Sequence, residues 1–439
     1  MKKLFVSASL VAIGAVSLHA DEYAPDFTAM DATKPWTVSG TLRGFYDDNF
    51  TTSPNGHKAG SAGFEFSPQG SLIVPLQQTE LGLRYTYGLY YYQQRENQGS
   101  NPIDQTHQAD LWVDHAFNQR WEGKIQDTFV SQQDPSLSSS GTSLPYRAEG
   151  NNFQNVGTVS AHTEWSMLFS SDLSYQNTWI DYHQHGATLR TLEGIDPGPT
   201  SATYAGLLNQ VDHSIGVTLN YQYLPDLAFM AGYNFGWNVY TGDEPIAITS
   251  AGNAYSASRN QMSHTFKVGA QYSATANLSI VAWGGITYND NYNLPSFDTQ
   301  SSTSIEPYAN IAVTYTYLPG DYVQVGFTES GSPVATTDAT ASGSVTKFQQ
   351  VSVFYATVNH QITPKLTGSL TAHYQYSTFV GGANDGASQN WYSLGLNLAY
   401  AFTPWISADA GYNLYYLTSA PELTGYSRNI GYASATLSF

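Results

Sequence analysis

The chain has 439 residues, of which 11% are charged, 14% aromatic and none cysteine, and its formal net charge is −18. A water-soluble domain carries about 25% charged residues to keep its surface wet, and so acidic a balance argues against nucleic acid and anionic lipid headgroups as partners. Without cysteine no disulfide can brace an exported chain, so backbone pairing has to hold the fold together.

Residues 1–20 begin with Lys2 and Lys3, continue through an apolar run at 4–16 and reach the small Ala20 before the polar DEYAPD. They read as a secretory signal peptide, although Leu18 stands where a second small residue is usual. Once the two lysines are removed, 14 basic residues face 34 acidic ones, a net charge of −20. Beyond the signal no apolar run reaches the roughly 18 residues of a spanning helix, so any membrane crossing must be made of strands. Residues 21–35 are a polar leader on the periplasmic side, too short for a folded plug. From Trp36 to Phe439 the pattern alternates with a period of two, the all-β signature.

The alternation is clearest at 210–223, 227–240 and 390–402. In the last of these Tyr392, Leu394, Leu396, Leu398 and Tyr400 oppose Trp391, Ser393, Gly395, Asn397 and Ala399. Short turns fall at 74–78, 118–120, 163–165, 224–226, 275–277, 318–321, 363–365 and 403–405, with longer polar loops between them, such as 134–151, 183–209 and 243–261. Short connections on one side and long ones on the other predict an antiparallel up-and-down transmembrane β-barrel, with turns and both termini in the periplasm. Eight turns and nine loops imply 18 strands, or 16 without the hairpin near 331–347. Backbone groups in lipid need partners, so the last strand should pair with the first. In that last strand Phe439, Leu437, Ala435, Ala433 and Gly431 share the lipid face, and Phe439 with Leu437 forms the expected membrane-insertion signal. Tyr and Trp near strand ends, among them Trp36, Tyr46, Trp121, Trp165, Trp179 and Trp405, would form two interfacial girdles.

Four short motifs carry a resemblance. They are Tyr46-Asp47-Asp48-Asn49, the stretch from Phe66-Ser67-Pro68 to Val74-Pro75-Leu76, His115 through Trp121 (HAFNQRW), and Tyr426-Ser427-Arg428-Asn429. Together they resemble the family of the putative β-barrel porin of the second type, from outer membranes of Gram-negative bacteria. The resemblance implies an outer-membrane barrel and a transport role, and it brings no catalytic or binding residues.

If the apolar face of each strand meets lipid, the polar face lines the lumen. That places Arg43, Glu65, Glu80, Arg84, Asp110, Asp114, Glu122, Lys124, Asp172, Asp212, Lys267, Glu306 and Asp409 along the pore, nine acids against four bases. A channel so lined should favour cations modestly, even where the charges pair across strands. Asp127 falls on the apolar side of its strand and predicts a bulge or a misplaced register there. The loop at 134–151 carries Asp134, Arg147 and Glu149 as candidates for a constriction. His183 and His185 alone are too few for a metal site, and the oxygen ligands at 47–49 and 288–291 read as solvated strand ends. With no G-x-S-x-G, H-E-x-x-H or phosphate loop, neither an enzyme nor a cofactor is expected. The expected partners are outer-membrane lipid, the barrel-assembly machinery and small hydrophilic solutes, with a homotrimer through the Gly/Ala face of the last strand. The expected function is passive diffusion; an export duct for a surface polysaccharide and a non-conducting adhesive barrel are the rivals.

Overall fold

The computed structural model describes residues 34–97, 99–132, 136–139, 142–147, 151–183, 203–242, 244–249, 252–332, 346–382, 384–419 and 425–439. Its wall begins with β1 (Trp36–Asp47), β2 (Ser61–Pro75), β3 (Thr79–Tyr92), β4 (Ile103–Ala116) and β5 (Trp121–Gln132). A small hairpin follows, β6 (Ser136–Ser139) with β7 (Thr142–Arg147). The wall resumes with β8 (Asn152–Glu164), β9 (Phe169–Tyr182), β10 (Gln210–Leu224) and β11 (Leu227–Tyr240), before a second hairpin of β12 (Pro245–Thr249) and β13 (Gly252–Tyr255). It is completed by β14 (Gln261–Thr275), β15 (Leu278–Asp290), β16 (Thr303–Leu318), β17 (Asp321–Ser332), β18 (Phe348–Thr363), β19 (Leu366–Val380), β20 (Ser388–Thr403), β21 (Ile406–Ser419) and β22 (Tyr426–Ser438). Two one-turn helices, α1 (Gln93–Asn97) and α2 (Tyr204–Leu208), and a 3-10 turn at Ser256–Arg259 lie in the loops.

Eighteen strands form one sheet in which each pairs antiparallel with the next, and β22 closes on β1 with Ser39 opposite Ser438 and Asp47 opposite Ile430. Val38 and Phe439 extend the seam by exchanging both backbone hydrogen bonds, at 3.1 and 2.9 Å. Closure removes every edge, as a lipid environment requires. The expected strand number holds, and so do the short turns, with one correction. The turn placed at 163–165 lies at 165–168, because Thr163 and Glu164 continue β8 opposite Ser171 and Ser170.

Five short turns repeat one device. Around 223, 274, 317, 362 and 402 the register slips by one residue immediately before a two-residue turn. The extra residue raises the local twist where the strand must reverse. At two of these turns a threonine fixes the reversal: Thr363 Oγ1 accepts from the amides of Lys365 and Leu366, and Thr403 Oγ1 accepts from those of Trp405 and Ile406.

The outer face carries the exposed hydrophobics: Leu42, Leu83, Leu111, Ile125, Leu173, Ile215, Leu219, Val268, Ile311, Val325 and Leu398. Trp36, Trp121, Trp165, Trp405 and Phe439 ring its short-turn end; Trp121 meets Trp165 edge to face at 5.7 Å and Trp405 meets Phe439 at 6.1 Å. An apolar band between aromatic rims is the exterior that hydrocarbon selects.

Asp127 corrects an expectation. No bulge re-aims it: β5 runs in unbroken register with β4 and β8, and Asp127 stands opposite Leu111 and Gly157 on the outer face. Its carboxylate is instead satisfied by the Asn155 side-chain amide, at 3.0 and 3.1 Å, and Gly157 leaves it room.

Candidate functional site

Because the side-chain period is two, each outward leucine fixes an inward neighbour. The register places all of the expected wall residues on the inner face. Arg43 faces Glu65 across β1 and β2 and donates to it at 3.1 Å. Arg84 donates to Asp110 at 2.9 Å, and Asp110 also accepts from Gln108 and Thr128. Lys124 stands 3.1 Å from Glu122 and 4.0 Å from Asp114. Glu80 accepts from the Trp112 indole at 3.2 Å. Asp172 joins His162 and Asn220, each at 2.7 Å. Asp212 accepts from Asn238, and Asp409 from Asn397 and Ser434. Lys267 takes a different partner: its ammonium lies 5.1 Å from the centre of the Trp283 ring and 5.4 Å from that of Tyr308. Glu306 is two residues from Tyr308 on the same wall.

The long-loop end of this wall holds what period-two reading does not place. The strands run 12 to 16 residues, beyond the 9–11 that cross a bilayer, and loops fold inward onto the excess. Arg95 of α1 binds Asp104 of β4 at 2.6 Å and lies over the rings of Tyr92 and Phe50. Arg259 is 1% exposed, stacks 4.0 Å from the centre of the Tyr240 ring and donates to the Leu207 carbonyl. Trp391, Leu417 and Tyr426 pack together over β20, β21 and β22. With Asp47, Asp104, Arg95, Arg259 and Arg428 added to the expected set, the residues named number eleven acids and seven bases. The inner wall keeps its negative sign.

Asp134 and Glu149, two of the three expected constriction residues, lie outside the described residues, as does His185. Arg147 ends β7 with its backbone opposite Ser136. The polar groups at 47–49 and 288–291 are not solvated strand ends: Asp47 is 1%, Asn49 0%, Asn289 4% and Asn291 2% exposed. Asp47 accepts from Arg428 Nε at 2.9 Å and Nη2 at 2.6 Å. Asp48 accepts from the Asn429 amide and side chain, and Asn49 donates to the Ser427 carbonyl. Burial of Asp48 raises its pKa, but the bonds from Asn429 and Lys58 outweigh it and hold the carboxyl below its ordinary range.

The inner wall also repeats one cross-strand pair. Phe45 stands directly opposite Gly63, Trp112 opposite Gly82, Trp283 opposite Gly269, Tyr355 opposite Gly326 and Tyr432 opposite Gly411. A Cβ on any of these glycines would fall within 2.7 Å of the opposed ring. Each ring therefore lies flat in the space that a side chain would fill.

A closed antiparallel barrel with an apolar exterior and a charged interior is a transmembrane β-barrel. Residues 313–439, which span β17 to β22 and the end of β16, match the family model described as Putative beta-barrel porin 2. The fold is similar to that of the siderophore receptor PirA from Acinetobacter baumannii (8% identity, TM-score 0.47), covering 93% of this chain and 81% of that one. It is similar to OccAB4 from Acinetobacter baumannii (10% identity, TM-score 0.45; 93% and 100% covered). A third similar structure is the outer membrane protein opdK from Pseudomonas aeruginosa (10% identity, TM-score 0.44; 92% and 99% covered). No curated protein matches the chain.

Proposed function

We propose that this protein is an outer-membrane channel through which small hydrophilic solutes diffuse passively, with a modest preference for cations. The carrying observation is the inner wall: an 18-strand barrel is too wide for side chains to fill, and its charges are arranged along the wall rather than packed into a core. Most pair with a neighbour on the same or the adjacent strand, as Arg84 does with Asp110, which leaves the middle to water. Pairing does not cancel the excess of acids, so the field along the passage stays negative. Neither ATP nor a cofactor enters this reading, and both termini lie on the periplasmic side. A homotrimer would use the outer face of β1 and β22, where Gly40, Gly44 and Gly431 leave open space beside Ala433 and Ala435.

Reconstituted into planar bilayers under a salt gradient, the protein should give ohmic channels whose reversal potential has the sign of cation preference. Liposome swelling should admit small sugars and exclude larger ones. Absence of conductance, or a clear anion preference, would refute the reading.

A further inference from the structure

The cations on the inner wall divide into two kinds. Arg43, Arg84 and Lys124 each stand within salt-bridge distance of a carboxylate. Lys267 does not: among the described residues no carboxylate lies within 4.0 Å of its ammonium, and its nearest polarisable neighbours are the faces of Trp283 and Tyr308.

The backbone keeps it there. Gly232, Lys267, Gly285 and Tyr308 form one cross-strand row over β11, β14, β15 and β16. A Cβ at Gly232 would fall 2.8 Å from Lys267 Cε, and one at Gly285 would fall 2.8 Å from Lys267 Cα. The lysine stem therefore lies in a trough floored by glycine. In the neighbouring row Trp283 lies over Gly269, where an added Cβ would stand 2.7 Å from the ring. The Tyr308 hydroxyl is buried without a hydrogen-bond partner. One patch of wall thus offers an ammonium with no carboxylate partner and two ring faces, on three half-buried side chains facing the lumen.

Resting on the channel reading above, we propose that this patch is a binding subsite for a pyranose sugar acid. The C–H face of the sugar would stack on Trp283 and Tyr308, and its carboxylate would meet Lys267. Each group has its chemical complement: a flat ring presents an electron-rich face to C–H dipoles, and a lysine held over rings in a partly dry wall gains most from an anion. The net negative lumen makes the local cation selective by contrast, since a carboxylate has few other places to dwell.

The test is current block in planar bilayers with galacturonate, galactose or gluconate added. Galacturonate should block wild-type channels saturably. Galactose, which has the face without the charge, and gluconate, which has the charge without the ring, should each block at least tenfold more weakly. Lys267→Gln should weaken the galacturonate block about tenfold and leave that of galactose unchanged, while Trp283→Ala should weaken both. Equal block by galacturonate and galactose in the wild type, or block by galacturonate unaffected by Lys267→Gln, would overturn the proposal. Heat-modifiable mobility on a detergent gel checks that each variant has folded. If the protein gives no conductance, the channel reading fails on its own. Calorimetric titration of galacturonate into detergent-solubilised wild type and Lys267→Gln then decides the subsite, a loss of binding in the variant supporting it and no binding to either refuting it.

Discussion

Arg428 and Asp47 stand 381 positions apart in the sequence and meet through two hydrogen bonds, of 2.9 and 2.6 Å, to a single carboxylate oxygen. One ends the first strand of the barrel and the other lies near the start of the last, so the pair fastens the seam at its loop end. Beside it Asp48 binds Asn429, and Asn49 binds Ser427. Two short motifs at opposite ends of the chain, one ending Asp47-Asp48-Asn49 and the other Ser427-Arg428-Asn429, are thus the two halves of one clasp.

Removing Arg428 leaves a carboxylate buried without its cation. Breaking a buried ion pair from one side costs about 3–5 kcal/mol. The Arg428 side chain keeps 22% of its exposure, which places Arg428→Gln near the lower end, at about 3 kcal/mol. Urea unfolding in lipid, followed by tryptophan fluorescence, should show that loss. Asp47→Asn/Arg428→Gln, which leaves no uncompensated charge, should lose less than Arg428→Gln alone.

The clasp also gives stability a pH dependence. Burial works against ionisation of Asp48, yet Asn429 and Lys58 stabilise its charged form more, so its folded pKa lies below the unfolded one. The unfolded state then binds the proton more readily, and stability falls as the proton is taken up. The contribution of Asp48 is fully present above the ordinary carboxylate range, about pH 4, and is lost as pH falls through the lower folded value. Unfolding midpoints measured from about pH 6 to pH 3 should drop more steeply for the wild type than for Asp48→Asn. Parallel curves would show that Asp48 contributes nothing to the linkage.

Much of this architecture was legible because lipid imposes one rule on every strand. A backbone that must pair completely, with hydrocarbon outside and water inside, forces the period of two that made Leu396 and Asn397 readable as opposite faces. The short turns were marked by residues such as Pro225 and Thr403. Arg428 was readable too, since it shares parity with Ser434 on the inner wall. Arg95 and Arg259 were not: they sit in loops without periodicity, and only tertiary contacts with Asp104 and Tyr240 bring them onto the wall. Asp127 misled because a carboxylate on the lipid face breaks the pattern, and its remedy, Asn155, lies on the next strand.

That remedy is incomplete, which makes Asp127 a place where the fold can be improved. Charged groups on the lipid face of a barrel cost up to about 2–4 kcal/mol at the bilayer midplane, and acids cost less. The paired amide recovers part of this. Replacing both partners with apolar side chains, Asp127→Leu with Asn155→Val, removes the desolvation term without leaving an orphan. The double variant should be more stable in lipid by roughly 1 kcal/mol, and Asp127→Leu alone should gain less. A loss of stability in the double variant would show that the hydrogen-bonded pair contributes more than its desolvation costs.

The glycines under the inner rings make a further prediction, about the passage itself. Trp112 lies so flat over Gly82 that a Cβ there would stand 1.8 Å from the indole. The ring is held by its bond to Glu80, from a β3 residue two positions before Gly82. Gly82→Val cannot leave the ring in place, and the wall behind it is backbone, so the indole must swing toward the lumen. Because the outer residues Leu81 and Leu83 keep their lipid contacts, barrel closure should survive and heat-modifiable mobility should be retained. Single-channel conductance should fall, and Gly82→Val/Trp112→Ala, in which no ring remains to swing, should restore it to the wild-type value or above. Unchanged conductance in Gly82→Val would mean that the ring does not border the conducting path.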